Sequence, residues 1–200
     1  MPNRLFSLIL LGALGAVTPA AAKAEATDEA AVALFSAAFA TSCLGAFLED
    51  GSLIEPPQRF QTSVASSYGE PEAAVLWQFF CDSGAYNLSS VFVIWTEFDG
   101  LRPLALPMPW LKVVYENPDA QDSPLKEIGV ESWSATLRAI NAAFDPATGE
   151  LTSVSRWRGV GDAYDAATWV LRDGGAHLVA FEADATYDEE VGPQLTLTYP

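Results

Sequence analysis

The chain has 200 residues, with 26 acidic against 10 basic side chains, a formal charge of −16, and two cysteines. A field of that sign repels phosphate backbones and anionic membrane surfaces, which argues against nucleic acid as a partner. The length suits one domain that buries about 70% of its unfolded surface, so neither metal nor disulfide is needed merely to fold.

The first 24 residues read as a secretory signal peptide. Arg4 supplies a positive charge, Leu5 to Val17 is an apolar run, and Pro19 leads into the small residues Ala20-Ala21-Ala22-Lys23-Ala24. That order is the one a leader needs, and the apolar run is short of the roughly 20 residues of a membrane span. Cleavage after Ala22 or Ala24 is expected, leaving a single domain over 25–200 with a periplasmic or secreted address and no later membrane span. In that oxidising compartment the two cysteines, Cys43 and Cys81, are expected to pair.

Beyond the leader, Thr27-Asp28-Glu29 places a capping residue and acids ahead of Val32, Phe35, Phe39, Cys43, Leu44 and Phe47 at helical spacing. This predicts one helix over about 28–47 with its apolar stripe on a core. The signals then change to strands. Val75 to Cys81 is apolar and aromatic, and Ser90 to Phe98 is β-branched and aromatic, with Asp99-Gly100 turning into Leu101 to Leu106. Trp110 to Tyr115 is a further strand, and Asn117 to Gly129, polar with two prolines, reads as a loop. Thr136 to Phe144 and Leu151 to Trp157 flank the turn Asp145-Pro146-Ala147-Thr148-Gly149; Thr168 to Arg172 and His177 to Glu182 flank Asp173-Gly174-Gly175; Leu195 to Tyr199 closes the chain. Repeated hairpins without alternating helices predict a mainly β fold, an antiparallel sandwich or barrel-like domain with one N-terminal helix.

Two blocks stand out together. One is Cys81-Asp82-Ser83-Gly84-Ala85-Tyr86-Asn87, running on to Leu104-Ala105-Leu106-Pro107. The other is Asn141 with Phe144-Asp145-Pro146-Ala147-Thr148-Gly149-Glu150-Leu151-Thr152-Ser153, then Arg158-Gly159-Val160-Gly161-Asp162, Thr168-Trp169-Val170 and His177-Leu178. In order and spacing, over about 75–200, they resemble a family of secreted proteobacterial proteins catalogued as a domain of unknown function, number eleven-seventy-six in its series. The resemblance implies an envelope address and a β-rich fold, and no chemistry. It also implies two departures: family members carry cysteines where this chain has Ala163 and Tyr187, which points to a structural disulfide that this chain lacks. The family's N-terminal portion is not recognisable in this chain.

No catalytic pattern is complete. Arg158-Gly159-Val160-Gly161-Asp162 lacks the third glycine and the following helix of a dinucleotide loop, so no cofactor is expected there. It reads instead as a turn whose Arg158 and Asp162 pair across it, or as an exposed recognition patch. Gly84-Ala85-Tyr86-Asn87 reads as a turn with a buried ring and an asparagine satisfying backbone groups; Tyr86 and Asn87 are the other candidate binding residues. His177 has no partner motif, and a single histidine makes a poor zinc site. Asp184, Asp188, Glu189 and Glu190 lack the spacing of a calcium loop, so no metal site is expected. The repeat of Ala85-Tyr86-Asn87 in Ala163-Tyr164-Asp165 reads as coincidence, and the six tryptophans as core rather than a carbohydrate platform. The expected function is a non-enzymatic binding module for a cationic envelope protein or a cell-wall component. The alternative is a hydrolase using two carboxylates on envelope glycans, which requires two acids facing across a cleft.

Overall fold

The computed structural model describes residues 27–120 and 123–200; the expected leader, 1–24, lies outside them. Helix α1, Asp28–Phe39, starts where the sequence asks for it: Ala30 N–H donates to Thr27 Oγ1 at 3.1 Å, and Asp28 and Glu29 occupy the first turn, where the helix dipole favours negative charge. It is shorter than the 28–47 expected. The Phe39 carbonyl accepts from both Ser42 N–H and Cys43 N–H, and the chain leaves the helix through a 3₁₀ turn at Leu44–Ala46. The apolar spacing ran past the helix because Cys43 and Ala46 still face the same core, tethered there by the Cys43–Cys81 disulfide rather than by helical pitch. With the cysteines 38 positions apart, that bond stabilises the fold by about 4 kcal/mol in the chain-entropy model.

The first sheet is antiparallel and runs β1 (Gln58–Val64), β2 (Glu72–Ser83), β3 (Leu88–Thr96), β4 (Gly100–Pro103), with β7 (Arg138–Ile140) also on β3. Its central strands are buried on both faces, which is why they read as continuous apolar runs rather than as alternation. Val75, Trp77, Phe79, Cys81, Val91 and Val93 meet α1, where the Phe35 ring stacks on Phe79 at 4.3 Å. Leu76, Phe92 and Ile94 point the other way. Trp77 Nε1 donates to Asp28 Oδ1 at 2.8 Å and pins the helix start to the sheet.

The second sheet is β8 (Ala143–Asp145), β9 (Glu150–Arg156), β10 (Tyr164–Arg172), β11 (Gly175–Asp184) and β12 (Leu195–Thr198), paired in the order 12-11-10-9-8. Its Leu151, Trp169, Leu171 and Phe181 share one core with Leu76, Phe92 and Ile94 of the first sheet. The result is an antiparallel sandwich with a helix on one outer face.

The remaining strands, β5 (Leu106–Tyr115) and β6 (Leu125–Thr136), form a two-stranded ribbon. Here and at β1 the sequence reading falls short. Residues 117–129 were expected to be loop, yet β6 starts at Leu125. Much of it is solvent-exposed at the ribbon's outer edge, so its sequence is polar and charged where a core strand would be apolar. β1 is likewise a half-exposed edge strand. The stretch 136–144 is not one strand: β7 pairs with the first sheet, β8 with the second, and the chain crosses between them at Asn141, whose φ is 45°.

Candidate functional site

Of the four residues marked out in the sequence, Tyr86 and Asn87 lie at that crossing, and Tyr86 reaches from it to the turn that holds Arg158 and Asp162. Arg158 Nε donates to Asp162 Oδ1 at 2.7 Å and Arg158 Nη2 bonds the other carboxylate oxygen, so the pair across the turn is bidentate. Gly161, at φ +84°, lets the turn close, with its N–H on the Arg158 carbonyl. Asp162 is 1% exposed and also accepts Glu189 N–H at 2.8 Å. The Arg158 guanidinium, and then these backbone donors, hold the Asp162 carboxyl well below the ordinary carboxylate range; the same bond raises Arg158. Arg158 also lies over the Tyr187 ring, 5.2 Å from its centre. The segments around Ala163 and Tyr187, where the resemblance implies cysteines in other members, are thus joined here by the Glu189 N–H bond to Asp162 and by the Arg158 contact with the Tyr187 ring.

Asn87 and Asn141 complete the junction. Asn87 donates to the Arg156 carbonyl at 2.8 Å and accepts Arg156 N–H at 3.1 Å, extending β9 by a side-chain rung. Asn141 Oδ1 accepts Leu88 N–H, and its amide donates to Asn87 Oδ1 and the Val154 carbonyl, each at 2.9 Å. Tyr86 is 39% exposed rather than buried; its ring covers Gly159, where a Cβ would sit 3.5 Å from it, and its hydroxyl donates to the Trp157 carbonyl. The polar atoms of this cluster are used in joining the two sheets.

The other single-residue candidates are similarly occupied. Asp184 accepts from Thr186 N–H, Thr186 Oγ1 and Gly192 N–H, and Asp188 accepts Glu190 N–H, so both close turns. Among the described residues no cluster of His, Cys, Asp and Glu is arranged to hold a metal ion. His177 is a half-buried residue of β11, in register with Val170. A cavity of about 300 Å³ gathers Glu70, Glu72, Asp99 and Asp173 beneath the exposed rings of Tyr68 and Phe98. Three of those acids have partners: Glu72 accepts Phe98 N–H, Asp99 pairs with Arg102, and Asp173 accepts Ser67 N–H and hydroxyl, which hold it below its ordinary range.

A second cavity, of about 330 Å³, differs. One wall is the ribbon face on which Met108 and Trp110 oppose Ser134 and Ser132. The other carries Arg138, Ser153, Ser155, Asp165 and Trp169. Trp169 is buried and its Nε1 donates to the Pro107 carbonyl at 2.8 Å, fixing the ribbon to the second sheet. Asp165 accepts Trp157 Nε1–H at 2.7 Å; burial raises its pKa, and the bonds from Trp157 and Ser155 oppose that in part. Trp110 stands at the rim, 62% exposed. Arg138 is half-buried and no acid pairs with it among the described residues, whereas Arg59, Arg102 and Arg158 pair with Asp28, Asp99 and Asp162.

None of Trp110, Arg138 and Asp165 was singled out from the sequence. The reading of all six tryptophans as core holds for Trp77 and Trp169 and fails for Trp110 and Trp133, which are 62% and 52% exposed on the ribbon. An edge ribbon has an outer face to leave wet, and sequence cannot tell that face from a core one. The usable signals were slight: Arg138 is the one base between Lys126 and Arg156, and Asp165 ends the repeat dismissed as coincidence.

Neither the curated proteins nor the solved structures yield a significant match. A family model described as "Protein of unknown function (DUF1176)" matches residues 16–188. That span takes in α1 and its disulfide, so the N-terminal portion, unrecognised in the sequence, is part of the family pattern, while the last strand lies beyond the match. The chain belongs to the family of proteins of unknown function DUF1176.

Proposed function

We propose that the protein is an exported, non-enzymatic binding module that holds a cell-wall component in the cavity between the ribbon and the sandwich. One observation carries this reading: the cavity combines an exposed indole, an unpaired guanidinium and a half-buried carboxyl within one concave, mixed apolar and polar surface. Its volume falls at the lower end of the roughly 300–1,000 Å³ typical of small-molecule pockets. Export is supported by the order of charge, apolar run and small residues over 1–24.

Binding is favoured over hydrolysis because glycoside cleavage takes two carboxyl groups, about 5–9.5 Å apart. Asp165 is the one acid among the described residues lining this cavity, and the acid-rich cavity near Tyr68 has most of its carboxylates engaged. That same engagement puts a cell-wall component ahead of a cationic protein as the ligand.

The test is a titration of the purified protein with soluble cell-wall fragments, read by tryptophan fluorescence and by the mass of the recovered fragments. Saturable binding that Trp110→Ala weakens, with fragment masses unchanged, is the expected result. Fragments that come back cleaved, or no saturable binding, would overturn the proposal.

A further inference from the structure

Arg138 narrows the ligand class. The chain carries 26 acids and 10 bases, so a half-buried arginine has a large excess of carboxylates from which to find a partner. Arg59, Arg102 and Arg158 each have one, and Arg172 donates to the Pro200 carbonyl at 3.2 Å. Arg138 lies on β7 between the two sheets, lines the cavity, and has none among the described residues. A guanidinium presents a planar fork of donors that matches a carboxylate in two parallel bonds. That fork faces the cavity without being buried, so its donors are open to a ligand there.

The other wall specifies the rest of the ligand. Trp110 offers an exposed flat apolar ring on the same ribbon face as Met108, opposite Ser132 and Ser134. A pyranose has one face of C–H groups that lies flat on such a ring, while its edge hydroxyls point sideways to polar partners. Ser155 and Asp165 are at hand for them. We infer that the cavity takes a pyranose carrying a carboxylate, the acid on Arg138 and the apolar face of the sugar on Trp110. This rests on the binding reading above and names its ligand.

Two opposing terms are small. The negative field of the whole chain repels an anion, but charges beyond about 8 Å are largely screened at physiological ionic strength. Asp165 shares the cavity with Arg138 without pairing with it, and Trp157 Nε1–H already engages one of its oxygens at 2.7 Å.

The experiment compares acidic sugars with their neutral counterparts by calorimetry. The probes are a uronic-acid disaccharide and a muramic-acid-containing disaccharide, each beside a version with its carboxylate converted to the carboxamide. At least one acid is expected to bind at least tenfold more tightly than its carboxamide, with that advantage shrinking as salt rises. Arg138→Gln should bring the acid down to the level of the carboxamide without lowering the melting temperature. Trp110→Ala should weaken acid and carboxamide by the same factor. Equal affinity of acid and carboxamide would overturn the ligand class and leave the binding module standing. No binding by any of the four probes would overturn the ligand class, while the wall-fragment titration separately decides the binding module.

Discussion

The crossing at Asn141 and the cavity under the ribbon lie on the same sandwich and have opposite chemistry. Arg158, Asp162, Asn87 and Asn141 each bond within the protein: Asn87 and Asn141 join the two sheets at the crossing, and Arg158 and Asp162 tie the β9–β10 turn to the segment after β11. In the cavity, Arg138 pairs with no acid among the described residues and Trp110 faces solvent. Polar residues dense enough to look like a motif were dense because a backbone changing sheets exposes donors and acceptors that side chains must satisfy. The groups available to a ligand are those left over, and they are scattered along the sequence. The comparison teaches that a conspicuous cluster stitches the fold, while the groups left open to a ligand are inconspicuous in the sequence.

The largest effect that should sharpen this contrast is Asn141→Ala. It removes side-chain bonds to Leu88, Asn87 and Val154 and places a Cβ-bearing residue without polar help at φ 45°. A loss of about 3 kcal/mol in urea unfolding is expected, with Asn141→Gly recovering about 1 kcal/mol of it by relieving the backbone. If both variants match the parent protein, the junction is not structural and the contrast breaks.

Arg158→Ala is the next test. It leaves Asp162 buried with only backbone donors, so the melting temperature falls at neutral pH. The pH dependence has a definite sign. The folded Asp162 pKa lies below its ordinary value of 3.8, so its contribution is present above that value and is lost as pH falls through the depressed pKa. Without Arg158 the acid-induced loss should begin at higher pH, as followed by circular dichroism. Unchanged acid unfolding would show that the pair does no stabilising.

Asp165→Asn should act in the opposite direction and more weakly. The folded pKa of Asp165 is raised, so its contribution is fully present below 3.8 and is lost as pH rises through the folded value. The asparagine variant should therefore melt slightly higher than the parent at neutral pH, with the gain fading in acid; a lower melting temperature at every pH would show that Asp165 is needed as a charged group. The smallest stability effect belongs to Arg138→Gln, within about 0.5 kcal/mol of the parent, because no protein acid loses its partner. A drop well beyond that would make Arg138 structural and erase the difference between the two regions.

The capped helix start, the disulfide, the hairpins at Asp99-Gly100 and Asp173-Gly174, and the mainly β class were all legible in the residues. Each depends on neighbours a few positions apart, on φ requirements of turn residues, or on a cysteine count. So was the Arg158–Asp162 pair, which spans four positions. The short helix end, edge strands β1 and β6, and the split of 136–144 between two sheets were not, because edges and crossings carry no periodic apolar signal.

Sequence by itself determined which segments pair locally and that the chain is acidic and β-rich. Tertiary structure alone decided that Trp110, Arg138 and Asp165, from three separate strands, line one cavity, and that among the described residues no acid forms an ion pair with Arg138. The physical reason is that a charge is paired or free according to what packs against it, and packing partners in this sandwich come from strands far apart along the chain.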